Sequence, residues 1–169
     1  RAKAAGAPNV RDIEAIRRLQ VFLDRRGFGP GKVDGKLGEF TSKAVDCYNT
    51  AAGLAPGDYS AVLRESDGLE VFSSYTVREA DVAWVDPTLS TKPPQQARAQ
   101  FMHYRSLAEF VAERFHTDVP WLARANPSLK VASLKPGNTL QVPNVVPFEI
   151  KQLPRPRVWA ADPGSANRL

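Results

Sequence analysis

Gly27-Phe28-Gly29-Pro30-Gly31-Lys32-Val33-Asp34-Gly35-Lys36-Leu37-Gly38 decides the fold of the first third of the chain, because it parts two segments with helical periodicity. Upstream, Ile13, Ile16, Leu19 or Gln20, and Leu23 recur at three- and four-residue steps and share one helix face. Asn9 and Asp12 stand where a helix start needs a side-chain acceptor, and the acid is favoured by the helix dipole. Gly27 supplies the left-handed residue that stops such a helix. Within the stretch, Pro30, Asp34-Gly35 and the other glycines predict tight turns. Val33 and Leu37, being apolar, are expected to plug the core. A second helix is expected from about Glu39 to Ala52, with Ala44, Val45, Tyr48 and Ala52 on one face and Gly53 as terminator.

The C-terminal half has its own signals. Ser106-Leu107-Ala108-Glu109 is a capping box: the serine hydroxyl accepts from the Glu109 N–H, and the Glu109 carboxylate is expected to reach back to the serine N–H. Leu107, Phe110, Val111 and Phe115 give the helix an apolar face. Asp118 caps a second short helix with Pro120 in its first turn and Trp121, Leu122 and Ala125 following; Asn126-Pro127 ends it. Lys135-Pro136-Gly137 turns into the alternating strand Thr139-Leu140-Gln141-Val142-Pro143. Phe101-Met102-His103-Tyr104, short and aromatic, is expected to be its partner strand.

Between these halves, Ser60 caps a short helix through Leu63, Asp67-Gly68 marks a turn, and residues 69–72 and 75–77 read as short strands. Pro87, Pro93 and Pro94 with Gln95-Gln96 predict an extended connection, and Pro147, Pro154, Pro156 and Pro163 predict a semi-rigid tail. The expected class is α+β. A helical unit spans 9–68, a connector 69–100, a strand-helix-helix-strand unit 101–146, and a proline-rich linker 147–169.

Composition narrows the function. With 43% apolar and 24% charged residues the chain is neither a disordered tail nor a membrane span, and no apolar run approaches the roughly 20 residues needed to cross a bilayer. A start at Arg1 without Met is what a processed or trimmed chain is expected to show, so export stays open. The net charge of +5 and the stripe Arg11, Arg18, Arg25, with Arg17 and Arg26 alongside, invite a nucleic-acid reading. No aromatic-interleaved basic loop supports it, so no nucleic-acid partner is expected. The single Cys47 is expected to be a small buried or half-buried residue, His103 a packing residue, and His116 a partner for a helix C-terminus. These three residues compose no metal site, and no cofactor is expected.

The helix-turn-helix pattern around Val33-Asp34-Gly35 resembles the peptidoglycan-binding domain of bacterial cell-wall hydrolases and transpeptidases. That resemblance implies that Asp34, Gly35, Gly38 and Thr41 border the shallow surface that meets peptidoglycan; read as residues alone, Asp34 and the glycines equally serve to build the turn. Residues 107–115, Asn126 and 134–143, in the order strand, helix, helix, strand, look like a LysM module, a family that binds the N-acetylglucosamine of glycan strands. The resemblance implies a groove between Tyr104, Arg105, Ser106 and Leu107 on one side and Asn126, Pro127, Ser128, Leu129 and Lys130 on the other. Tyr104-Arg105-Ser106 departs from the Gly-Asp-Thr that follows the first strand of a typical module, which keeps open a LysM retained as a structural spacer.

Tyr75-Thr76-Val77 followed by Asp81-Val82 resembles the stretch that joins these two modules in a group of exported L,D-transpeptidases, so the likeness covers roughly Val10 to Val145. That family uses a cysteine nucleophile in a His…Ser-x-Gly-Cys setting. Cys47, followed by Tyr48-Asn49, does not fit it, and both histidines lie far along the chain. No Gly-x-Ser-x-Gly elbow or phosphate loop replaces it. The resemblance therefore implies a non-catalytic targeting region of the periplasm or cell envelope, with peptidoglycan as partner and a catalytic domain beyond Leu169 in the same parent chain. The competing readings are an architectural module that packs on the catalytic domain or an envelope partner without touching glycan, and a free-standing hydrolase.

Overall fold

A computed structural model describes residues 12–96 and 102–147. The Asp12 carboxylate accepts from the Ala15 N–H at 3.0 Å and caps α1 (Ile13–Arg25); Asn9 lies outside the described residues. Gly27, at φ +82, ends the helix as its position predicts. Helix α2 (Glu39–Ala51) starts at Gly38 and ends before Gly53, at φ +71, and α3 (Ser60–Ser66) follows. Leu19, Phe22 and Leu23 of α1, Ala44, Val45 and Tyr48 of α2, and Tyr59 and Val62 close a first core. Two members of the predicted faces stay outside: Ile13 is half exposed in the first turn of α1, and Ala52 is exposed where α2 has ended.

A second core gathers the rest. It contains Val71, Val77, Phe110, Val111, Trp121, Leu122, Leu140 and Val142, drawn from β1 (Phe72–Thr76), α5 (Leu107–Arg114), α6 (Val119–Ala125), β2 (Thr139–Pro143) and their flanks. A one-turn helix, α4 (Pro93–Gln96), and 3-10 turns at Glu79–Trp84 and Val131–Ser133 complete the described elements. Ser106 and Asp118 cap α5 and α6 as expected, accepting from Glu109 at 3.1 Å and Trp121 at 2.8 Å. The Glu109 carboxylate, however, reaches one residue further back, to the Arg105 N–H at 2.7 Å, because the Arg105 guanidinium pairs with its other oxygen.

The partner of β2 corrects the sequence reading. Met102-His103-Tyr104 forms no strand with β2, and Phe101 lies outside the described residues. The antiparallel partner is β1, in the register Phe72 to Pro143 through Thr76 to Thr139, so residues expected in the connector supply half of the sheet. Both segments are short and aromatic, and packing decides between them. From β1, Phe72 stacks on Trp121 at 5.7 Å and Tyr75 meets Phe115 at 4.9 Å, while Thr76 and Thr139 hydrogen-bond across the ladder. Backbone bonds between Val77 and the Gly137-Asn138 turn close one end, and Asn144 bonded to Val71 closes the other. Tyr104 instead bridges Val85 in parallel, donating to Trp84 O and accepting from the Asp86 N–H.

The two cores are joined. Val33 plugs the second core, not the first, as does Val21; only Leu37 packs against the first. The Val33 N–H donates to His116 O at 2.8 Å, and the Thr117 hydroxyl donates to Val33 O at 3.1 Å. His116, at φ +53, turns its ring to the Asp24 carboxylate at 2.6 Å, so its partner is a side chain of α1, not the end of its own helix. The hydrogen bond that the Asp24 carboxylate accepts from the ring raises the His116 pKa against the opposing effect of burial. Among the described residues no helix is long and apolar enough to cross a membrane.

Candidate functional site

The turn between α1 and α2 is organised from beneath by Gln20. This amide is 1% exposed, although it stands among the apolar positions of α1. Its oxygen accepts from the N–H groups of Asp34 at 3.1 Å and Gly35 at 2.9 Å. Its nitrogen donates to Lys36 O at 3.0 Å and to the Thr41 hydroxyl at 3.3 Å. One buried side chain thereby satisfies backbone groups that water would otherwise have to reach.

Above that amide lies an open cleft of about 380 Å³, lined by residues including Asp34, Gly38, Phe40 and Thr41. Three of the four residues expected to border a ligand surface meet here. Thr41 is buried and holds the far wall by donating to Pro30 O at 3.2 Å. Asp34 closes the turn with one oxygen, accepting from the Lys36 N–H at 2.9 Å. Gly38 is exposed in extended backbone, and a Cβ there would meet nothing. Gly35 is the fourth, and it faces away from the cleft. At φ +79 it is buried against α1, where a Cβ would stand 2.6 Å from Ile13 Cγ2, so only glycine fits.

Phe40 was not singled out from the sequence, yet its ring is 69% exposed and forms a wall of the cleft. An apolar residue on the outer face of an otherwise amphipathic helix is the signal that marks it.

The second expected groove is not assembled in the same way. Arg105, Ser106, Glu109 and Val119 border a shallow depression of about 310 Å³, and Asn126 to Lys130 take no part in it. Tyr104 is half-buried, edge-to-face on Phe110 at 5.4 Å, and burial pushes its hydroxyl pKa up. Leu107 and Leu129 pack against the second core. Asn126 is buried and fully engaged: its nitrogen donates to Leu122 O and Gln141 O, both at 2.9 Å, and its oxygen accepts from the Gln141 N–H at 2.7 Å. Pro127, Ser128 and Lys130 are exposed beyond it.

The loop that does follow the first strand centres on Asp81, a carboxylate with no exposed surface. It accepts from the Tyr75 hydroxyl and from the Arg78 backbone and guanidinium. Burial works to raise its pKa, but these donors together hold Asp81 below the usual carboxylate range. Tyr75 is pushed up to about 12, first by burial and then by its bond to Asp81.

Cys47 is exposed on α2, contrary to the expected burial, because it falls on the outer face between Val45 and Tyr48. Among the described residues no group of three or more His, Cys, Asp or Glu side chains could hold a metal ion. No family model and no curated protein matches this chain, so what it does has to be read from these residues themselves.

Proposed function

We propose that this chain is a non-catalytic, wall-targeting region that places an L,D-transpeptidase on peptidoglycan in the cell envelope, the catalytic domain lying elsewhere in the same parent chain. The observation that carries the proposal is the cleft over Gln20. It is preorganised by a buried amide, walled by an exposed phenyl ring, and rimmed by Asp34, Glu39, Lys32 and Lys36. An apolar face beside fixed polar groups suits a sugar ring or a peptide that carries both charge signs.

In this reading α1 to α3 form the peptidoglycan-binding-like unit. The LysM-like unit takes β1 as its first strand, with the 3-10 turn, α4 and residues 102–106 inserted before α5. Ala80-Asp81-Val82 then stands where a typical module has Gly-Asp-Thr. The retained aspartate in the loop after the first strand supports the likeness. Its engagement by Tyr75 and Arg78, and that of Asn126 by α6 and β2, favour a scaffolding role for this second unit.

Retention on insoluble peptidoglycan is the test. Wild-type chain is expected to co-sediment, Phe40→Ala and Asp34→Asn to be released, and Lys130→Ala to behave as wild type, all with unchanged circular dichroism. A wild-type chain that is not retained would leave the architectural role in possession, and retention indifferent to Phe40 and Asp34 would take the contact with peptidoglycan away from this cleft. Soluble muropeptides released by the purified chain would overturn the non-catalytic part.

A further inference from the structure

Where the two cores meet, the surface carries a cleft of different chemistry. Cavities of about 500 Å³ and 220 Å³ adjoin there, and Arg17 and Arg124 line both. Lys36, Asp34 and Ile13 border the larger, Phe72 and Trp121 the smaller. The Arg17 guanidinium is held over two rings, 6.0 Å from the centre of Phe72 and 5.9 Å from that of Trp121. It also lies over Gly35, where a Cβ would approach its Nε to 3.2 Å.

This guanidinium is fixed but poorly satisfied. Its Nε is buried without a hydrogen-bond partner. The carboxylate that pairs with it is Glu14, at 3.9 Å, half exposed and shared with Arg18. That distance is too long for a hydrogen bond. Among the described residues neither Arg124 nor Lys36 has an ion-pair partner, and both are exposed. Asp34 is the single acidic residue on these walls, and one of its oxygens is already taken by the Lys36 N–H. A partly desolvated guanidinium gains from an anion on its remaining N–H groups, and a planar carboxylate matches that fork.

We propose that this junction cleft binds a free ligand carboxylate, with Arg17 as the preset fork and Arg124 and Lys36 as flanking charges. The chemistry stands on the cleft alone; naming the source as wall material rests on the function proposed above. Two carboxylates of that material share it: the free acid of a stem peptide and the lactyl group of a muramic sugar from which the stem peptide has been cleaved.

The test titrates the full chain, by NMR and calorimetry, with soluble probes. These are a short acetylated peptide with a free C-terminal carboxylate, the same peptide amidated, N-acetylmuramic acid, N-acetylglucosamine and inorganic phosphate. The free acids are expected to bind about tenfold tighter than their uncharged counterparts, with shifts at Arg17 and Arg124. Arg124→Gln, at an exposed position, should remove that preference while leaving the melting temperature unchanged, and Arg17→Lys should weaken it while keeping the charge. Whichever free acid binds more tightly identifies the source. Equal affinity for acid and amide, indifference to Arg124→Gln, or phosphate binding as tight as carboxylate would overturn the proposal. The outcomes stay separable from those of sedimentation. Wild-type retention without a carboxylate preference sinks this cleft alone; a carboxylate preference without retention sinks the wall-targeting reading and leaves the cleft.

Discussion

Gln20 and Asn126 are both buried amides that use oxygen and nitrogen to tie a helix to a distant segment, yet they leave opposite surfaces behind. Gln20 draws the 34–41 turn down onto α1 from below, so the upper side of that turn stays open as a cleft. Asn126 stitches the end of α6 edge-on to Gln141 of β2, and its capacity is consumed between two elements of one core. A polar residue inside a recognisable motif therefore says little about ligands until its partners are counted. Here that count supports the proposal of a ligand-facing first unit and a scaffolding second unit.

Removing the two amides tests this contrast most severely. Gln20→Ala strips acceptor and donor from four turn partners at once and leaves a void, so a loss of about 3 to 4 kcal/mol in denaturant unfolding is expected. Retention on peptidoglycan should vanish even at temperatures where the variant stays folded. Asn126→Ala orphans the N–H and carbonyl of Gln141, while Leu122 O keeps the backbone N–H of residue 126, for an expected loss of about 2 to 3 kcal/mol. Below its melting temperature it should still be retained. If both variants lost retention equally while folded, the division of roles between the units would fail.

The legibility of the sequence follows the same divide between local and distant partners. Helices α1, α5 and α6 were readable because their caps, Asp12, Ser106 and Asp118, lie within three residues of the N–H groups they satisfy, and α2, which has no side-chain cap, was readable from its apolar face and from Gly53 after its end. Strand β2 was readable from its alternation and the turn before it. Its partner was not, since β1 lies more than sixty positions away, Thr76 to Thr139 being the nearest pair, and Phe101-Met102-His103-Tyr104 offered a similar aromatic pattern. Val33 was legible as a core residue but not as a member of the distant core. Of the four residues that the first resemblance carried, Asp34, Gly38 and Thr41 fell into one cleft, whereas Gly35 did not, and its φ of +79 and close approach to Ile13 explain its presence without a ligand. Gln20 was undervalued because periodicity records where a side chain points, not what it bonds.

The joint between the two cores gives a smaller, pH-dependent effect. In the folded chain the Asp24 carboxylate raises the His116 pKa, and Glu113 nearby acts in the same direction. A group whose folded pKa is raised contributes stability that is fully present below its ordinary value of 6.5 and is lost as pH climbs through the folded value. The unfolding free energy is thus expected to fall on going from about pH 6 towards pH 8, by an amount on the order of 0.5 kcal/mol and with it the melting temperature, since the ring is partly exposed and solvent screens the pair. A further ion pair, Lys32 to Asp118 at 3.4 Å, also crosses the joint. His116→Asn tolerates the positive φ and should abolish the slope while leaving Lys32 and Asp118 in place. A slope that survives this substitution would put the titrating group elsewhere.

The smallest expected change is at Gly38, and it bears most directly on how the open cleft works. Gly38 begins α2 with no side-chain cap, its φ of −106 suits any residue, and a Cβ there meets empty space. Geometry does not require glycine at this position, in contrast to Gly35 a few residues earlier. Gly38→Ser supplies the missing cap and should stabilise α2 by a few tenths of a kcal/mol, ~0.3, measured as a small rise in the denaturant midpoint. If retention on peptidoglycan is then unchanged, the cleft is read by the Phe40 ring and Asp34, and Gly38 merely starts the helix. If retention drops while stability rises, the bare backbone at Gly38 is itself where ligand approaches, because the substitution removes nothing from the fold and adds only a side chain at the cleft's rim.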